Sequence, residues 1–442
     1  MSLRSNALWN LAGAGFPLLV GAALFPYLVR SIGVEAFGVL TLIWALIGYF
    51  GLFDLGVGRA LTQQVAQKRV AGRGAEVPAL VKTGLLFAGA MGVLGGVLLA
   101  LAVEPLAARG LKVSPELHAD VVQALLIAAA AVPFTTVTVG LRGVLEAYED
   151  FRAVNLLRMA LGVATFGLPA LSVLLFGPSL TWIVALLMAA RLVFVVAHWV
   201  FVRRHLASKL GAARVGRHEL RQLLSFGAWM TVSNIISPLM VTADRFVISA
   251  VLGAAVVAYY TVPSELLLRV LILPGALTTA LFPRLASLIA TDIAGAARLY
   301  RRSLLLVTAV LVPISLLLAF GAHWGISLWL GEAFADRAAP VASILALGLL
   351  FNGMAFVPFA AVQAAGLARI TAQLHVAEAF VYFPLLIVGL HEFGLAGAAF
   401  AWTARVGIDL VLLLVVAHRS VFRRPPATPL RHNLPTSEPE RP

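Results

Sequence analysis

The chain has 442 residues, of which 61% are hydrophobic and only 12% charged, with a mean hydropathy of +0.96. Soluble domains carry roughly 25% charged residues, so this composition excludes a soluble protein: it has too little polar surface to stay dispersed. A net charge of +13 would point to nucleic acid in a soluble chain, but apolar runs of about 20 residues recur from end to end, and the charge must first be sorted by side of a bilayer.

Hydropathy predicts an all-α polytopic membrane protein of about twelve transmembrane helices, at roughly 7–29, 36–57, 79–103, 119–141, 155–176, 180–202, 222–246, 254–283, 302–322, 339–363, 372–390 and 395–417. The first run is too long for a signal-peptide core and lacks a small-residue cleavage site, so it reads as the first helix. The connections are too short to hold an extramembrane domain. The tail from Arg423 is Pro-rich and polar and reads as disordered. With no cysteine, disulfides and thiolate metal sites are excluded.

Arginine and lysine sort unevenly between alternate loops. One set holds Arg59, Lys68, Arg69, Arg73, Arg142, Arg152 and Arg158, the cluster from Arg203 to Arg221, and Arg284, Arg298, Arg301, Arg302 and Arg369. The other holds only Arg30, Arg109, Lys112, Arg245 and Arg337; with Arg4, Lys82 and the tail arginines added to the first set, the bias is about five to one. The bias predicts a bacterial inner-membrane protein with both termini cytoplasmic. Residues 203–221 read as a basic cytoplasmic linker between lobes 1–202 and 222–422, ahead of the tail 423–442. Neither the linker nor the net charge calls for nucleic acid.

Shifting the sequence by 220 residues brings the halves into register: Trp9 falls on Trp229, Gly33 on Gly253, Thr41 on Thr261, and Ala60-Leu61 on Ala280-Leu281. Six helices per half make this a parallel repeat, two lobes related by an axis along the membrane normal and able to rock about a central cavity. Pro17 and Pro238 lie one residue apart in that register, and interrupted helices at corresponding places point to a transporter's moving parts.

Ionisable groups inside the membrane cost about 2.5–3.5 kcal/mol each on insertion scales, so they face a cavity or a partner. Arg191, Glu265, Arg269, Glu378, Arg405 and Asp409 fall within predicted helices and are the candidate substrate-cavity residues. Glu265/Arg269 and Arg405/Asp409 are spaced i,i+4 and can pair along one face; each pair reads either as mutual neutralisation or as part of a cationic cavity. Arg191 has no acid at i±3 or i±4. Guanidinium stays charged and its fork matches phosphate oxygens. No nucleotide-binding GxxxxGK[ST] loop, HExxH or GxSxG motif is present, and the scattered histidines give no metal-ligand spacing. Gly92 and Gly96 read as close helix packing.

The segments RSIGVEAFGVLTL from Arg30, FDLGVGRALTQQVAQ at 53–67, RGVLEAYEDFRAVN from Arg142, MVTADRFVISAVLGAAVVAYYTV at 240–262 and LPGALTTALFPRLA at 273–286 resemble polysaccharide exporters of the Wzx/PST type. The resemblance implies the multidrug/oligosaccharidyl-lipid/polysaccharide exporter fold, two six-helix lobes forming a V. It implies flipping of undecaprenyl-pyrophosphate-linked oligosaccharide for surface polysaccharides such as O-antigen, with a polymerase and chain-length machinery as partners. It places Arg30, Asp54, Arg59, Asp244 and Arg245 in family motifs, expected as locks at the lobe ends. It implies no cofactor, leaving proton or sodium coupling open. The two extra helices of the lipid II flippase branch are lacking. The alternatives are a cation-coupled drug extruder of the same fold, whose cavity should be acidic, and a membrane ligase or polymerase, which needs a larger external loop than 104–118 or 323–338.

Overall fold

The computed structural model describes residues 3–50, 54–206 and 214–422. Thirteen α-helices run through the described residues: α1 (Leu3–Ile32), α2 (Val34–Phe50), α3 (Val57–Val70), α4 (Val77–Pro105), α5 (Pro115–Ala147), α6 (Phe151–Phe176), α7 (Leu180–Leu206), α8 (Arg217–Leu252), α9 (Val257–Arg269), α10 (Ile272–Thr291), α11 (Ile293–Leu330), α12 (Glu332–Ala364) and α13 (Ala368–Val416). Nine helical stretches among them are long and apolar enough to cross a membrane, and Leu174, Leu317 and Phe320 on their outer faces are largely exposed, as lipid-facing residues are. The stretch Arg369–Phe422 spans 54 residues, more than twice what one crossing needs. It breaks at Gly394, where φ 57 and ψ −139 leave the helical region in a conformation open to glycine. Counted as two crossings, and with α2 and the 36-residue α8, it brings the total to the twelve expected.

The eighth crossing is broken in two, with α9 ending at Arg269 and α10 starting at Ile272, which corrects the continuous helix expected over 254–283. The helix expected over 36–57 does not run through Leu55 (φ 50) and Gly56 (φ 75), which precede a separate α3 from Val57. Asp54 caps α3: Oδ1 accepts the Gly56 amide at 2.9 Å and Oδ2 the Gly58 amide at 2.8 Å, occupying donors that a helix start otherwise leaves unpaired. α3 buries Val57, Ala60, Leu61 and Val65 and turns Arg59 and Arg69 outward, so its mixed composition hid it from a hydropathy reading. The turns before α2 and α9 share a device: Gly33 (φ 83) and Gly253 (φ 95) both take left-handed backbone, which costs glycine least.

Within the first half, glycine brings backbones together. A Cβ on Gly96 would stand 2.6 Å from the Ala129 carbonyl oxygen, and one on Gly92 would collide with Pro133 and Thr136. On Gly143 it would meet the Gly58 carbonyl of α3.

α1 and α3–α7 make their main contacts with one another, as do α10–α13, while α2 and α9 meet across the halves. At the end carrying Gly33 and Gly253 (the glycine end), the Ser249 hydroxyl donates to the Leu111 carbonyl at 2.8 Å and the Lys112 ammonium to the Val251 carbonyl at 3.0 Å. Phe25 and Phe37 share one apolar cluster with Tyr259 and Phe334, and the Trp329 indole N–H donates to the Ala22 carbonyl at 2.8 Å. At the opposite, arginine-rich end the principal bridge is the start of α8: the Gly216 amide donates to the Thr83 hydroxyl at 3.3 Å and Leu223 packs with Leu61 and Leu80. Among the described residues, most of the hydrogen bonds between the halves thus gather at the glycine end. The tail from 423 and much of the basic linker (207–213) lie outside the described residues, as do the side chains of Trp9, Trp229 and Pro238.

Candidate functional site

Between the halves lies a cavity of about 540 Å³ walled by α1, α2 and α6 on one side and by α8 and α9 on the other. Its lining obeys the repeat. Ala22 faces in with Thr242, Phe25 with Arg245, Thr41 with Thr261, Ala45 with Glu265, Gly48 with Leu268, and Tyr49 with Arg269, each pair 220 residues apart. The cavity therefore sits on the pseudo-two-fold axis, yet its walls differ in chemistry. The second half supplies the charges. The first supplies rings: Phe25 stacks on Trp44 with centroids 6.1 Å apart, and Trp44 meets Phe166 edge-on at 5.3 Å.

On the charged wall one carboxylate holds two guanidinium groups. Arg245 Nη2 donates to Glu265 Oε1 at 2.6 Å, and Arg269 Nη2 to Oε2 at 2.9 Å. The Glu265/Arg269 pair expected from i,i+4 spacing is present. Arg245, expected at a lobe end and among the external charges, lies instead in the cavity wall, its side chain 7% exposed against 47% for Arg269. Two arginines against one acid leave this wall with a net positive charge. Three polar atoms around it have no hydrogen-bond partner: Arg245 Nε, the Trp44 indole nitrogen and the Thr261 hydroxyl. A buried polar group without a partner is costly, and all three can donate to an oxygen-rich ligand. Tyr49 and Thr242 share a hydrogen bond across the cavity.

Asp244 is buried beside this wall, where the Tyr260 hydroxyl donates to its Oδ2 at 2.7 Å; it too lies deeper than a lobe-end lock. Arg30 is exposed in the last turn of α1 at the glycine end, and Arg59 is exposed on α3 beyond the Asp54 cap.

A second cavity, of about 1080 Å³, lies within the second half between the α9–α10 break, α12 and α13. Arg405 and Asp409 line it. Their expected i,i+4 pairing gives way to one between helical segments: Arg405 Nε lies 3.5 Å from Glu378 Oε2, its guanidinium 5.6 Å above the Tyr382 ring, because the break at Gly394 folds residues 368–393 back beside 395–416. Glu378 is buried behind this cavity, hydrogen-bonded to Asp409. Arg191 lines neither cavity; it sits within α7 with a buried, unpartnered Nε, which removes the geometric reason for giving it a substrate contact.

The aromatic wall of Phe25, Trp44, Tyr49 and Phe166 escaped the reading of the sequence, since aromatic residues in an apolar helix carry no distinctive local signal. The repeat held the clue: carrying Arg245 and Arg269 back by 220 residues lands on Phe25 and Tyr49.

Residues 3–289 match the family described as polysaccharide biosynthesis protein. The chain belongs to that family. It is 33% identical over 413 residues to a protein of Shigella flexneri named "Putative O-antigen transporter", covering 93% of this chain and 97% of the relative. Among solved structures, an inward-facing multidrug resistance MATE family transporter of the MOP superfamily superposes with a TM-score of 0.73 at 14% identity, over 95% of each chain. A MOP superfamily transporter from Pyrococcus furiosus superposes with a TM-score of 0.62 at 13% identity, over 94% of each. The family member thus has the V-shaped MOP exporter fold and is a multi-pass membrane transporter.

Proposed function

We propose that this protein flips polyprenyl-diphosphate-linked oligosaccharide from the cytoplasmic to the periplasmic leaflet of a bacterial inner membrane, for O-antigen-type polysaccharide synthesis. The observation that carries this reading is the Arg245–Glu265–Arg269 wall. A diphosphate-linked sugar cannot cross hydrocarbon without a prohibitive desolvation cost. A cavity with one excess positive charge, unpartnered donors and a facing bank of rings offers phosphate oxygens guanidinium N–H groups and offers sugar faces apolar surface. The same excess positive charge disfavours cationic drugs, the chief alternative for this fold. Family membership and the O-antigen relative point the same way.

The arginine excess orients the chain with both termini in the cytoplasm. On that orientation the joined glycine end would face the periplasm, and substrate would load from the cytoplasmic side. The lobes divide at the basic linker, and rocking about the axis through the cavity would open the glycine end. Polymerase and chain-length proteins are the expected partners downstream, and a proton or sodium gradient a candidate driving force.

The test is reconstitution in liposomes with labelled lipid-linked oligosaccharide. Wild type should move the label to the opposite leaflet, and Arg245→Ala and Arg269→Ala should each slow it at least about tenfold, since a tenfold loss needs only about 1.4 kcal/mol. Translocation by both variants at the wild-type rate would rule out the cationic wall.

A further inference from the structure

The second cavity belongs to no part of the mechanism so far described. It opens from the same stretch of α9: Leu268 lines both cavities, and Arg269, the next residue, carries the charge of the first. Its lining sets one guanidinium, Arg405, against one carboxylate, Asp409, with Glu378 sharing a hydrogen bond with Asp409 just behind. Arg405 is paired with Glu378 at 3.5 Å, and beside it on the cavity lining lies the Asp409 carboxylate, 9% exposed. Asn352 adds an amide, and Phe356, Phe359 and Trp402 add ring faces. His375 lies flat on Phe359, its ring tilted by 10° with centroids 5.9 Å apart.

We infer that this cavity is a carbohydrate subsite, distinct from the diphosphate subsite at Arg245 and Arg269, and that it takes sugars rich in hydroxyl or amino donors. The inference rests on the proposed flippase function and assigns the substrate's two parts to separate chambers. Carboxylate and amide groups accept hydrogen bonds from sugar hydroxyls, while rings cover the C–H faces of the sugar. The one guanidinium here is already held by Glu378, whereas the first cavity sets two guanidinium groups against one carboxylate, so a diphosphate is better matched to the first chamber. The first sugar is bonded directly to that diphosphate, so its subsite must adjoin the cationic wall, and the two chambers meet at Leu268. At about 1080 Å³ the chamber is slightly larger than the usual ligand pocket of roughly 300–1,000 Å³, suited to several sugar units.

The experiment compares two probes on purified full-length protein in nanodiscs: the host's own polyprenyl-diphosphate-linked repeat unit, and sugar-free polyprenyl diphosphate. Asp409→Asn and Trp402→Ala should weaken binding of the sugar-bearing probe at least tenfold while leaving the sugar-free probe within twofold of wild type. The retained diphosphate binding then also certifies the fold of each variant. Arg269→Ala should weaken both probes. If the chamber variants lose both probes equally, or lose neither, the separate carbohydrate subsite is wrong although a flippase reading survives. If wild type binds the sugar-free probe as tightly as the sugar-bearing one, the subsite is likewise overturned. Failure of wild type to bind either probe would overturn the flippase reading itself.

Discussion

Phe25 and Arg245 stand at equivalent points of the two halves and face each other's wall across one cavity. A duplicated architecture has thus been given two chemistries, a ring where its twin is a guanidinium. The same substitution of character recurs at Tyr49 and Arg269 and at Ala45 and Glu265. Duplication supplies the cavity, and divergence supplies a charged wall able to hold the anionic end of a substrate.

The wall gives opposite expectations for two arginines. Arg269, half exposed and aimed at the cavity, should be needed for transport, and Arg269→Lys should restore only part of it because a point charge cannot offer the planar fork. Arg191 lines neither cavity, so Arg191→Leu should translocate labelled lipid-linked oligosaccharide within about twofold of wild type, a span worth less than half of the roughly 1.4 kcal/mol that a tenfold change requires. Liposome translocation assays on Arg269→Ala, Arg269→Lys and Arg191→Leu measure both.

Glu265 anchors Arg245, whose side chain is 7% exposed. Removing one partner strands the other charge, at a cost of roughly 3–5 kcal/mol for a buried pair. Glu265 is itself 35% exposed, so the lower part of that range is expected for Glu265→Ala, read as a fall in thermal unfolding temperature in detergent. Arg269→Ala should unfold close to wild type, because its exposed half already sees solvent.

Two glycines separate conformational balance from stability. A Cβ on Gly38 would stand 2.6 Å from the Ala254 carbonyl of the opposite half, so Gly38→Ala should loosen the joined end and shift the population toward its open form. A Cβ on Gly143 would strike the Gly58 carbonyl within one half, so Gly143→Ala should instead destabilise the fold, by about 1–3 kcal/mol as overpacking does. Thiol labelling at the glycine end reports the first and thermal unfolding the second.

The joined end can be locked chemically. The native chain has no cysteine, so Leu111→Cys with Ser249→Cys forms a background-free pair at positions tied by a 2.8 Å hydrogen bond. A short thiol cross-linker should join them and stop translocation, and reduction should restore it. Undiminished transport after complete cross-linking would show that this end does not open.

The sequence by itself determined the twelve crossings, their sidedness signal and the repeat, because hydropathy over about 20 residues, loop charge and a fixed offset are properties of the linear chain. It also marked Glu265 and Arg269 as a pair, since i,i+4 neighbours share a helix face whatever the fold. Tertiary structure alone decided the partners that cross between helical segments. Arg245 reaches Glu265 from another helix and so joins the cavity, Arg405 turns to Glu378 because the chain reverses at Gly394, and Arg191 faces neither chamber. Phe25 and Tyr49 became wall residues only when the two halves were set face to face, for an aromatic side chain in an apolar helix is chemically silent until something is placed opposite it.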